Sequence, residues 1–132
     1  MPWNGILAVG VGAAVGAWLR WGLGILLNPA FPTLPLGTLA ANLLGGLLMG
    51  VAMELLTRHA FVPAEVRLLV TTGFLGGLTT FSTFSAEIVT LLTRREYLWG
   101  SVAIGGHVVG SVAMTLVGIV LVRALYGWGT AT

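Results

Sequence analysis

Gly76-Gly77-Leu78-Thr79-Thr80-Phe81-Ser82-Thr83-Phe84-Ser85 lies inside a charge-free run from Leu68 to Ala86. The 19 residues of that run match the ~20 needed to cross hydrocarbon as a helix. Its middle is wrong for a plain anchor. Two adjacent glycines weaken a helix by roughly 1 kcal/mol each relative to alanine. Five hydroxyl side chains then fall between Thr79 and Ser85, where an anchor would carry Leu, Ile and Val. Irregular backbone at membrane depth is tolerated only where it packs in protein or lines a watery path. The segment therefore reads as a helix broken over residues 76–80, at a transport site.

The rest of the composition agrees. Hydrophobic residues make up 57% of the 132, with only six basic and four acidic side chains, too few to build a soluble surface. Leu36–Met53 and Leu98–Val122 are also charge-free, and Ile6–Leu27 is interrupted only by Arg20. The expected fold is an all-α membrane protein with four transmembrane helices in one domain, 1–132. The spans are expected near residues 5–27, 36–56, 66–93 and 98–124. The start, Met1-Pro2-Trp3-Asn4, lacks the basic stretch and cleavage site of a signal peptide, so the first span is expected to be retained. Cysteine is absent, and redox compartment cannot be read.

The net charge of +2 rests on arginines too scattered for a nucleic-acid surface. With four crossings, Arg58, Arg67 and Arg123 fall on one side, and Arg20, Arg94 and Arg95 on the other. An even split gives the positive-inside rule no purchase. A chain without bias can insert both ways, which suggests an antiparallel pair of identical subunits.

Small-xxx-small spacings recur as Gly12/Gly16, Gly46/Gly50, Gly73/Gly77 and Gly106/Gly110. They allow close backbone approach where lipid gives no hydrophobic drive, and some of these faces are expected to meet a second subunit. Trp3, Trp21, Trp99 and Trp128 fall near span ends and read as an interfacial belt. His59 lies in the Arg58–Pro63 loop and reads as exposed.

No Ser/His/Asp or Cys/His set, metal cluster or phosphate loop is present, so catalysis has no candidates. Of the acids only Glu87 lies deep, and a local electrostatic role near a mouth suits it. Uncharged polar groups do align. His107, Ser111 and Thr115 recur every four residues and share one helix face, while Asn42 stands alone in the second span. Ser111 or Thr115 singly would suit back-bonding to the preceding turn. Together with Asn42 and the Thr79–Ser85 cluster they suggest a hydrated path. Phe81 and Phe84 share a face beside the hydroxyls. Packing is the usual fate of such a pair, but the electropositive ring edge also suits a small anion. Composition does not decide between the two.

Gly16-Ala17-Trp18-Leu19-Arg20 resembles the first-helix signature of the Fluc (CrcB) fluoride channels. Gly37-Thr38-Leu39-Ala40-Ala41-Asn42-Leu43-Leu44-Gly45 is similar to their second-helix motif, and residues 73–85 resemble their third-helix break almost residue for residue. The fourth-span stripe is a looser match, with His107 at a position the family varies. The resemblance implies antiparallel, dual-topology homodimers with two fluoride pores. It implies Asn42, Phe81 and Phe84 as central anion contacts, with Ser82 and Thr83 nearby. His107, Ser111 and Thr115 would form a polar track, and Arg20 would influence a vestibule. It further implies a sodium ion at the dimer centre, held by backbone carbonyls of Gly76 and Thr79.

The reading is then passive fluoride export across a bacterial inner membrane, with fluoride, lipid and a second copy as partners. The alternative is a small multidrug-type transporter, also four-helix and dual-topology. That mechanism needs a membrane-embedded carboxylate, which the first span lacks. An inert assembly subunit would not need the Thr79–Ser85 cluster.

Overall fold

Four helices long and apolar enough to cross a membrane succeed one another in the computed structural model, which describes residues 2–127. They are Trp3–Ala30, Leu36–Arg58, Ala64–Thr93 and Tyr97–Tyr126. Trp128, expected at a membrane interface, lies outside the described residues. The first span is α1 (Trp3–Leu27) closed by a 3₁₀ turn, and the second is α2 (Leu36–Arg58). The third is composite: α3 (Ala64–Leu68), a π-helical stretch Leu69–Leu75, α4 (Gly76–Leu78) and α5 (Phe81–Thr93). The fourth is α6 (Tyr97–Tyr126).

Local chemistry sets the ends. Pro2, Pro35 and Pro63 stand at the N-caps of α1, α2 and α3, where a residue without an N–H costs no helical hydrogen bond. Asn28 completes the start of α2, its Oδ1 accepting from the N–H groups of Gly37 (2.7 Å) and Thr38 (3.3 Å). The turn from α5 to α6 is a Schellman motif. The Glu96 N–H donates to the Leu91 carbonyl and the Arg95 N–H to that of Leu92, with Arg95 left-handed at φ 59°.

Glycine lets the helices touch. A Cβ on Gly16 would collide with the Phe74 carbonyl, and one on Gly50 with that of Thr115. So α1 lies against the π-helical and α4 part of the third span, and α2 against α6. The Gly12/Gly16, Gly46/Gly50 and Gly73/Gly77 pairs, expected in part to meet another subunit, find backbone of this same chain. The buried core is correspondingly slim. Ala41, Ala52, Leu75 and Leu78 pack between α2 and the third span, and Leu34, Leu91 and Ala103 form a second cluster. Trp99 packs on that second cluster and meets Phe31 edge-on at 5.2 Å, so it is more than a belt residue. Elsewhere the exterior is apolar, with Trp18, Trp21, Val109 and Leu116 all exposed.

Polar ties hold one end. Glu54 Oε1 accepts from Arg58 Nη2 and Arg123 Nε, each at 3.1 Å, joining the ends of α2 and α6. Arg67 donates to the carbonyls of Leu56, His59 and Val62, which closes the loop between the second and third spans. His59 is exposed in that loop.

Candidate functional site

The extended backbone in the third span falls at Thr79 (φ −85°, ψ 156°) and Thr80 (φ −149°, ψ 123°). Gly76, within the segment expected to be irregular, is helical at φ −63°, ψ −36°. Side-chain acceptors take over the hydrogen bonds there. The Thr80 N–H, which a continuous helix would direct to the Gly76 carbonyl, donates to Asn42 Oδ1 at 2.8 Å. The Thr83 N–H, whose helical acceptor would be the Thr79 carbonyl, donates to Thr80 Oγ1 at 3.1 Å. Thr80 is thus the N-cap of α5. Arg20 reaches across from α1 and donates through Nε to the Gly77 carbonyl at 3.1 Å. Three carbonyls of one turn have therefore lost their ordinary partners or gained a charged one.

Beside this turn runs an open groove of about 470 Å³. It brings together Asn42, Phe81, Phe84, His107, Ser111 and Thr115, with Gly76 and Thr79 also in its wall. Arg20 and Thr83 are elsewhere. They line a second cavity of about 320 Å³ with Asn28, Thr38 and Thr80. Thr80 belongs to both walls. A third cavity of about 180 Å³ shares Thr83 with the second and holds Glu87 and Arg94 under the Pro32–Pro35 turn. Ser82 lines none of the three and lies 3.3 Å from Thr80 Oγ1.

Within the groove the side chains differ sharply. Phe84 is 8% exposed and Phe81 77%, their rings edge to face at 5.5 Å. Phe84 also lies 4.5 Å from the His107 ring. Asn42 Nδ2 bonds to the Thr80 carbonyl at 3.0 Å and to His107 Nδ1 at 2.9 Å. Thr115 back-bonds to the Ser111 carbonyl and reaches the Gly46 carbonyl, both at 3.0 Å. Ser111 Oγ has no hydrogen-bond partner among the described residues. In the neighbouring cavities the Thr38 hydroxyl, buried, donates to Glu87 Oε1 at 2.6 Å.

Three features were missed from the sequence. The Thr80 cap had a local signal, a threonine three residues before Thr83 at a helix start. The Thr38–Glu87 and Asn42–His107 bonds had none, because they join residues 49 and 65 positions apart. Among the described residues no three His, Cys, Asp or Glu side chains gather.

Residues 7–119 match the family model described as CrcB-like protein, Camphor Resistance (CrcB). The chain belongs to the CrcB family. The groove residues all fall inside the matched stretch. The chain is 61% identical over 120 residues to a Nitrosospira multiformis protein named fluoride-specific ion channel FluC, covering 91% of this chain and 94% of the relative. Proteins of the same name from Thiobacillus denitrificans and Ralstonia pickettii are each 58% identical. They match over 119 and 123 residues, 90% and 93% of this chain, and 96% and 98% of the relatives. These CrcB relatives are named as channels rather than enzymes.

Proposed function

We propose that this chain is a fluoride-selective channel, letting fluoride leave passively across a bacterial inner membrane. The observation that carries the reading is the groove. One wall gathers Asn42, Phe81, Phe84, His107 and Ser111, in a chain whose relatives are named fluoride channels. Fluoride is small and strongly hydrated, so its path must replace water with donors in a narrow space. Hydroxyls, ring N–H and phenyl edges supply that without a fixed positive charge. The path continues past Thr80 to the cavity of Arg20 and Thr83, then past Thr83 to the mouth at Glu87 and Arg94.

The working unit is an antiparallel, dual-topology homodimer with two pores, embedded in lipid. Two observations support it: the groove is open, and Phe81 in its wall is 77% exposed in the single chain. A second copy laid across would close the groove and bury that ring. Gly76 and Thr79 are the residues whose carbonyls would hold a structural sodium ion where the subunits meet. The fit is chemical, since the helical N–H partners of both carbonyls are diverted to side chains, and main-chain oxygen suits a hard cation. Bound there, sodium would supply positive charge that ties the two irregular turns together. No observation favours a proton-coupled drug transporter, and α1 carries no carboxylate.

The test is anion efflux from liposomes holding the purified protein. Fluoride should leave rapidly and chloride should stay. Equal passage of both anions, or of neither, overturns the reading.

A further inference from the structure

Gly12, Gly16 and Arg20 stand four residues apart, so they share one face of α1. That face runs along the third span. A Cβ on Gly12 would collide with the Leu69 carbonyl and the Phe74 nitrogen. One on Gly16 would collide with the Phe74 carbonyl and the Leu78 nitrogen. Each glycine thus lies over one turn of the helix opposite. One turn further along, that helix stops: Leu78 ends α4, and Thr79 and Thr80 are extended. A helix end leaves its last carbonyls without N–H partners. Thr79 gives both its N–H (3.1 Å) and its hydroxyl (2.9 Å) to the Leu75 carbonyl. The Gly77 carbonyl, whose helical partner would be the Phe81 N–H, receives Arg20 Nε at 3.1 Å. So α1 presents glycine where its neighbour is helical, and a donor where the helix has ended. A helical side chain leans toward its own N-terminus. The Gly77 carbonyl carbon lies 3.1 Å from where a Gly16 Cβ would stand, one turn before Arg20. Among the described residues this is the one hydrogen bond of Arg20, and neither ion pair involves it. A charge within a span is costly unless partnered, and the partial negative charge of a helix C-terminus suits a cation.

We propose that Arg20 is a positioning residue: its Nε takes the Gly77 carbonyl in place of the lost N–H and fixes the end of α4. The proposal rests on the fluoride reading and deepens it. The turn that starts there carries Thr79 into the groove wall and Thr80 onto Asn42. The effect of Arg20 on flux then runs through the main chain, and it needs the donor rather than the positive charge. A vestibule charge, the role that the resemblance implies, would need the reverse.

Glutamine and methionine separate the two roles. Glutamine Nε2 stands as many bonds from Cα as arginine Nε and donates without charge, while methionine matches the length with no donor. Arg20→Met should lower fluoride efflux from liposomes by about tenfold or more, and Arg20→Gln should restore it to within about threefold of the parent. A glutamine variant as slow as the methionine one overturns the proposal, because the charge is then what matters. A methionine variant as fast as the parent overturns it as well. A second readout needs no flux. The chain has three Gly–Leu bonds, Gly22–Leu23, Gly46–Leu47 and Gly77–Leu78. Labelling glycine at its carbonyl carbon and leucine at its nitrogen therefore selects three NMR signals from the full-length protein in lipid. Gly22→Ala, where a Cβ meets nothing within 4 Å, and Leu47→Ile remove the other two and assign Gly77. The Gly77 carbonyl signal should hold its place in Arg20→Gln and shift in Arg20→Met. A signal indifferent to Arg20→Met overturns the bond. Should Arg20→Met fail to assemble, the glutamine variant decides. Parent-like flux with an unmoved Gly77 signal supports the proposal, and loss of either overturns it. A parent that conducts fluoride beside a slow Arg20→Gln sinks this proposal alone. A parent that passes no fluoride, with the Gly77 signal behaving as expected, sinks the channel reading instead.

Discussion

Asn42 grips Thr80 by both of its backbone polar atoms, the N–H at 2.8 Å and the carbonyl at 3.0 Å. The grip joins α2 to the one place in the third span where the chain is extended. It works as a strand partner would, satisfying a donor and an acceptor that the helix has released. The same amide touches His107 on α6, so one side chain ties three of the four spans together.

Asn42→Asp tests this link. A carboxylate accepts from the Thr80 N–H but sets a charge against the Thr80 carbonyl, with no proton for His107 Nδ1. Losing two partly buried hydrogen bonds and leaving their acceptors unpaired costs about 2–4 kcal/mol. Denaturation of the purified protein should show that loss, and fluoride efflux should fall by about tenfold or more. Parent-like stability would mean that the turn holds its shape without the clamp.

The spans and the groove's membership were legible because both signals are local. Hydropathy marks each crossing, and His107, Ser111 and Thr115 share a face by simple periodicity. The Gly76-Gly77 pair drew attention to the right turn for a different reason from the one it serves. Gly77 lies where a Cβ would collide with the Ala13 carbonyl, so it allows packing against α1, while the extended pair is Thr79 and Thr80. What holds that pair comes from Asn42, 38 positions away. A bond of that span leaves no trace in a local pattern. The hydroxyl cluster likewise divides in space: Thr79 and Thr80 enter the groove, Thr83 faces the other cavities, and Ser82 enters neither.

Arg95 offers a stability prediction with no functional component. It adopts φ 59° at the end of α5, a conformation that costs a residue with a Cβ roughly 1 kcal/mol and glycine almost nothing. Arg95→Gly should raise stability by about 0.5–1 kcal/mol. Thermal unfolding in one detergent would measure it. A lowered midpoint would show that the arginine head makes contacts worth more than the backbone strain.

Orientation can be read with one thiol, because the chain has no cysteine. Phe61, 100% exposed, sits in the loop between the second and third spans. Phe61→Cys in vesicles should react with an impermeant maleimide from the outside in about half the molecules. The remainder should react only after the vesicles are opened. That is the outcome expected of a dual-topology pair with arginines evenly divided between its sides. Labelling confined to one side would exclude the inverted dimer and leave the open groove in need of another cover.

Phe81 and Phe84 separate packing from conduction, because one is exposed and the other is not. Phe84 is 8% exposed and wedged against His107, so Phe84→Ile trims a core contact and should cost about 1–2 kcal/mol as well as flux. Phe81 is 77% exposed in the single chain, and Phe81→Ile removes little that folds the subunit. If the ring edge meets the anion, that change replaces electropositive hydrogens with alkyl surface that cannot stand in for water. Efflux should then fall by about tenfold or more, while the subunit unfolds at the parent midpoint and still elutes as the same assembly. Both changes should thus lower flux, and only the one at Phe84 should lower stability with it. Full fluoride efflux from a well-folded Phe81→Ile protein would show that the exposed ring serves only as packing for a second copy, and would move the anion path onto His107 and Ser111 alone.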